Sequence, residues 1–149
     1  MEEKVSMKSL YIDAGWTSIG YCVFDDGVRG NYSEFHFSQK DKISRLSAIK
    51  KSLQRLIVTE DPDRIVCEDF VVHGAPGVRA QNVLCMIGLL VGLAEDLNVK
   101  ISLCNFGHWK AQWKKIENKP NLDGMKDHEK DAIMMGYVHE GFFLLEEAL

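Results

Sequence analysis

The sequence predicts an α/β domain built on a mixed five-stranded sheet, with helices on both faces. Three observations carry this. The chain up to Phe37 holds three runs of bulky apolar residues, in places alternating with small or polar ones, the pattern of strands. Two longer stretches, 43–57 and 78–98, repeat apolar residues at helical spacing. Two short apolar runs, 64–70 and 99–104, follow those helices in turn and have the length of buried strands. Three antiparallel strands followed by alternating strands and helices make a mixed sheet covered on both sides.

The elements follow in order. Residues 9–14 and 19–24 read as strands rich in β-branched and aromatic residues. Asp25-Asp26-Gly27 is a turn signal. Residues 30–37 (GNYSEFHF) resume alternation, with Tyr32, Phe35 and Phe37 as the bulky members. In the first helix Ile43, Leu46, Ile49, Leu53, Leu56 and Ile57 form the inner face, and Lys42, Lys50, Lys51 and Arg55 face out. Asp61-Pro62-Asp63 stops it. RIVCEDF, 64–70, is a short buried strand, and 73–77 is a loop. The helix over 78–98 is apolar over a wide arc of Val83, Met86, Ile87, Leu90, Val91, Ala94 and Leu97. A fifth strand covers 99–104, a short helix 109–116 and a loop 118–124. A last helix, 127–145, turns Ala132, Ile133, Met135, Gly136, Val138 and Phe142 inward.

With 149 residues, 46% of them hydrophobic, the chain suits one domain with a real core. Only three prolines and 27% charged residues argue against disorder. A formal charge of −4 speaks against binding nucleic acid through bulk positive charge. Such a role needs a local basic patch, or carboxylates that hold metal ions. Cys22, Cys67, Cys85 and Cys104 show no CxxC spacing and read as buried free thiols in a reducing compartment. The start, MEEKVSMKSL, has no apolar run of the kind a secretory signal needs. The longest apolar run, 83–94, is shorter than the roughly 18–20 residues of a membrane span. A soluble intracellular protein is expected.

Three acids stand where charge is costly. Asp13 interrupts the first strand, Glu68 ends the fourth, and Asp131 lies on the last helix with His128 three residues before it. Singly, each could be a turn or surface charge. Together, on strands that a mixed sheet sets side by side, they would repel unless a cation neutralised them. Hard divalent ions with oxygen ligands suit such a set. Two such ions, roughly 3.5–4 Å apart, suit phosphodiester hydrolysis.

The meander "IDAGWTSIGYCVF", then "IVCEDF", then "HEKDAIMMG" resembles the RuvC-type Holliday junction resolvases of the ribonuclease H-like superfamily, over nearly the whole chain. The short stretch between Trp113 and Asp127 likens it to compact phage- or virus-type members. The resemblance implies that Asp13, Glu68, His128 and Asp131 are catalytic and hold two Mg²⁺ or Mn²⁺ ions, with water as nucleophile. His128 would be either a ligand, better suited to Mn²⁺, or a base. Gly15 and Gly20 would leave room for a phosphate beside the metals. The substrate would be branched DNA, a four-way junction, cut by paired symmetric nicks. A homodimer would form through the helix over 78–98, whose Gly88 and Gly92 permit close approach. The setting would be the cytoplasm or nucleoid of a bacterial or infected cell, or an organelle.

For DNA contact, Lys110, Lys114 and Lys115 sit in "FGHWKAQWKKIENK", where Trp109 and Trp113 read as core. The loop after Glu68 adds Phe70, His73, Arg79 and Gln81, with Phe70 either a wedge into the junction or core. Other readings are a flap, broader branched-DNA or RNA–DNA hybrid nuclease of the same superfamily, or a catalytically silent DNA-binding module. "DAGWTSIG" also resembles the phosphate-binding strand pair of actin-like ATPases and sugar kinases, but two such domains exceed 149 residues.

Overall fold

The computed structural model describes residues 6–70 and 74–147. Strands β1 (Lys8–Ala14), β2 (Ser18–Asp25) and β3 (Val28–His36) form the antiparallel meander. The β2–β3 turn is tight because Asp26 and Gly27 both take positive φ, 49° and 79°, the geometry a two-residue hairpin needs. Helix α1 (Lys42–Glu60) starts at Asp41, whose carboxylate accepts from the Ser44 N–H at 2.8 Å. It ends at left-handed Asp61, φ 47°, just before Pro62. Strand β4 (Arg64–Asp69), helix α2 (Val78–Asp96), strand β5 (Lys100–Asn105), and helices α3 (Phe106–Lys115) and α4 (Asp127–Glu147) complete the order. The sheet runs β3-β2-β1-β4-β5, with β4 parallel to β1 and β5 parallel to β4.

Alternation along the strands builds two cores. Leu10, Ile12, Ile19, Ile65 and Cys67 face α1 and α2, meeting Ile49, Leu53, Met86 and Leu90. Their neighbours Tyr11, Cys22, Phe24 and Val66 face α3 and α4, meeting Trp109, Ala132, Ile133 and Met135. The expected sheet, strand directions and two-sided cover are all present. Three side chains depart from expectation. Ile43 is 79% exposed because it stands a full turn before the first core contact of α1. Val91 faces out from α2. All four cysteines are free, but Cys85 is exposed on α2 while Cys22 and Cys67 are buried. By length and composition α2 would cross a membrane; here Val83, Met86, Ile87, Leu90, Leu93 and Ala94 bury one face of it in the core.

Helix α4 lies unusually close to β2. A Cβ on Gly20 would overlap the backbone of His128 and Glu129, and one on Gly136 would overlap the Phe24 ring. From His128 to Gly136 the helix rises about 12 Å. From Gly20 to Phe24 the strand spans about 13 Å. The two contact points therefore match, and they fix how far α4 has slid along the sheet. Farther along, the Tyr11 hydroxyl donates to Glu140 Oε1 at 2.8 Å, and Arg64 meets the same oxygen at 3.3 Å.

Gly20→Ala is expected to lower unfolding free energy by about 2–3 kcal/mol, the cost of overpacking. Gly136→Ala should cost less, because a ring yields more easily than backbone. Urea midpoints at constant slope measure both; an unchanged midpoint for Gly20→Ala would show that α4 is not seated there.

Candidate active site

The strand register sets three residues abreast. Asp13 pairs with Gly20, and Gly20 pairs with Glu34. On the other side of β1, Ile12 pairs with Cys67, so Asp13 and Glu68 are the next residues along two adjacent parallel strands. Both follow the alternation of Tyr11 and Val66 and face the α4 layer. The first turn of α4 lies over Gly20 and adds His128 and Asp131, which share one helix face.

His128 is held at both ends. Its Nδ1 lies 2.8 Å from Asp13 Oδ2, and its backbone N–H donates to Glu34 Oε1 at 2.9 Å. The hydrogen bond to Asp13 raises the His128 pKa against the opposing effect of burial. Burial and the charge of Asp13 push Glu68 up to about 7, and they raise Asp131 also. Lys110 pulls both carboxyls back down, and the Trp109 side chain does so for Glu68. Asp13, Glu68, Lys110, His128 and Asp131 line one open cleft of about 970 Å³.

The cleft sorts the expected DNA contacts. Lys110, Phe70 and Arg79 line it. Phe70 is 40% exposed and so is not core. Lys114 and Lys115 are exposed in the last turn of α3, away from the cleft lining. Gln81 donates to the Pro76 carbonyl at 3.2 Å and is likewise not among the cleft residues. His73 lies outside the described residues. Trp109 is buried at 3% exposure, as a core residue should be.

Two groups escaped the sequence reading. Trp16 lines the cleft with Arg45 stacked 5.1 Å from its ring centroid. Glu34 caps α4 from β3. Neither carries a sequence signal, because both depend on which strand lies beside which. The glycines also have another role than expected. The Gly15 Cβ would meet the His128 ring at 2.7 Å, so Gly15 and Gly20 make room for His128 and its helix, and Gly15 also lines the cleft.

The donor set fits divalent cations. The charge of Asp13 raises the proton affinity of both Glu68 and Asp131, and a cation relieves the same repulsion. Oxygen donors suit Mg²⁺ and Mn²⁺. Among the described residues, no group of three or more His, Cys, Asp or Glu side chains lies close enough together to hold an ion as it stands.

The pH dependence of the metal-free protein follows. Folded Glu68 keeps its proton to about pH 7, whereas an ordinary glutamate loses it near 4.5. The folded state therefore binds more protons between those values, and stability falls as pH rises through them. Raised Asp131 and His128 act with the same sign. Glu68→Gln should reduce the total loss of stability across this range by about 1 kcal/mol, after discounting for the half-exposed position of the group. Thermal unfolding in EDTA from pH 4.5 to 7.5 measures this, and an unchanged slope in Glu68→Gln would refute it.

No family model matches the sequence, and no curated protein does. Solved structures do match the fold. T. thermophilus RuvC in complex with a Holliday junction substrate superposes with a TM-score of 0.75 at 15% identity, covering 93% of this chain and 96% of that one. A further structure of Thermus thermophilus RuvC gives 0.70 at 15% identity, covering 94% and 97%. The yeast mitochondrial Holliday junction resolvase gives 0.65 at 12% identity, covering 94% and 82%. The chain has the fold of the RuvC-type Holliday junction resolvases.

Proposed function

We propose that the protein is a metal-dependent endonuclease that resolves four-way DNA junctions by paired symmetric nicks. The observation that carries this is the convergence of Asp13, Glu68, His128 and Asp131 on one cleft of a RuvC-type fold. The carboxylates, with His128 beside them, would hold two Mg²⁺ or Mn²⁺ ions. When bound, such ions neutralise the acids, activate water and stabilise the leaving oxygen.

The chain's own groups do the rest. Asp13 orients His128 through Nδ1, which leaves Nε2 as the nitrogen to bind an ion or accept a proton. Lys110 offsets the acids and gives the scissile phosphate a cation. Arg79 and Phe70 at the cleft wall meet the strand beside the cut. Lys114 and Lys115 hold phosphates farther off.

A junction has two symmetric strands to cut, so a C₂ dimer fits it. Leu84, Cys85, Gly88, Val91 and Gly92 form an outward stripe along α2. We place the dimer contact there.

Asp13→Asn should cut junctions about 10³-fold more slowly, since loss of a ligand removes several kcal/mol of charge stabilisation, and should still bind them. The assay compares a four-way junction, a Y-fork, linear duplex and an RNA–DNA hybrid in Mg²⁺, Mn²⁺ and EDTA. Equal cutting of forks and junctions would give the broader nuclease. Preferred cutting of the hybrid's RNA strand would sink the resolvase reading. Binding without cutting would leave a silent DNA-binding module. Leu84→Asp, on a 41% exposed side chain, should yield a folded monomer by native mass measurement and uncouple the two nicks; a wild-type monomer at micromolar concentration would remove the dimer.

A further inference from the structure

Glu34 lies on the edge strand β3, where most side chains face solvent, yet its side chain is only 4% exposed. The cause is Gly20. With no side chain on the neighbouring residue of β2, the first turn of α4 drops onto the sheet and covers Glu34. Both carboxylate oxygens are engaged. Oε1 accepts the His128 backbone N–H at 2.9 Å, and Oε2 lies 3.0 Å from His36 Nε2. The other nitrogen of His36, Nδ1, lies 3.0 Å from Ser18 Oγ. A Ser18 hydroxyl donating to Nδ1 and an Nε2–H donating to Glu34 satisfy every group in the chain.

We propose that Glu34 is a positioning residue, held by His36, that fixes the backbone of His128 so that its imidazole meets Asp13 and Asp131 enters the cleft. Three contacts then set His128: Gly20 below its backbone, Asp13 on its ring and Glu34 on its N–H. The N–H groups of a helix's first turn have no partner within the helix. Without Glu34, that of His128 loses its acceptor and the turn is free to tilt. Partners of this kind typically shift metal affinity by roughly 10–100-fold when removed. The effect on cleavage rests on the nuclease reading above; the effect on His128 does not.

Glu34→Ala removes the acceptor, and Glu34→Gln keeps one. In metal-free protein, Glu34→Ala should speed exchange of the His128 amide and, at a pH low enough that the ring is charged in every variant, move its imidazole ¹⁵N signals, while Glu34→Gln, which lowers the ring's proton affinity by removing a charge but keeps the acceptor, should do neither. The Mn²⁺ concentration for half-maximal junction cleavage should rise about tenfold or more in Glu34→Ala, with the saturated rate little changed, and stay within about twofold in Glu34→Gln. His36→Ala, which alters a half-exposed ring, should give an intermediate shift. A lower melting temperature with unchanged His128 signals and Mn²⁺ midpoint would make Glu34 merely structural and overturn the assignment. Should Glu34→Ala not fold, the same absence of change in His36→Ala overturns it. If the wild-type protein cuts no branched DNA, the nuclease reading fails, and the His128 amide and imidazole signals still decide the role of Glu34.

Discussion

The close approach of α4 to β2 governs where His128, Asp131 and Glu34 stand. A strand residue with any side chain at position 20 would lift the helix off the sheet. His128 would then leave Asp13, and Glu34 would face solvent instead of the helix N–H groups. The Phe24–Gly136 contact repeats the arrangement with the roles reversed, the side chain coming from the strand and the space from the helix. Two such contacts at matched spacing leave α4 no room to slide. Its inward residues Ala132, Ile133 and Met135 are then fully buried against Tyr11, Phe24 and Val66. Shape complementarity in one core thus places the chemistry at its edge.

That placement sets the electrostatics. Asp13 and Glu68 stand side by side because parallel pairing puts Ile12 beside Cys67. Burial, reinforced by the charge of Asp13, holds Glu68 at the edge of neutrality near pH 7. Lys110 and His128 offset the repulsion only in part. Groups poised in this way mark functional sites more often than structural ones. The overall negative charge of the chain says little about the cleft, because what a phosphate meets is the local field of Lys110, Arg79 and any cation the acids hold.

The order of elements along the chain, the strand directions and the three acids were legible from periodicity and from charges misplaced in apolar runs. Asp13 was visible because an ionised group in a buried strand demands a reason. Glu34 was invisible because GNYSEFHF reads as an ordinary alternating edge strand, and its burial comes from Gly20 in another strand. Trp16 was hidden likewise, since a tryptophan after Asp13 reads equally well as core. Gly15 and Gly20 were noticed, but sequence does not say what fills the space beside a glycine; here it is an imidazole and a helix backbone. Helix amphipathicity placed most of α2 and could not tell that Val91 and Cys85 lie off the buried arc.

The hydrogen bond between Asp13 and His128 joins residues 115 apart in sequence. A contact so distant closes late, since the loop it bridges costs entropy that only the packed core repays. Strands β1 to β4 hold two of the four groups and can pair before α4 is made. Until α4 seats, the acids of β1 and β4 have neither His128 nor Asp131 beside them. A chain still emerging from the ribosome therefore carries the four-residue cluster only in part, and the cluster is complete only when the last helix has been synthesised and docked.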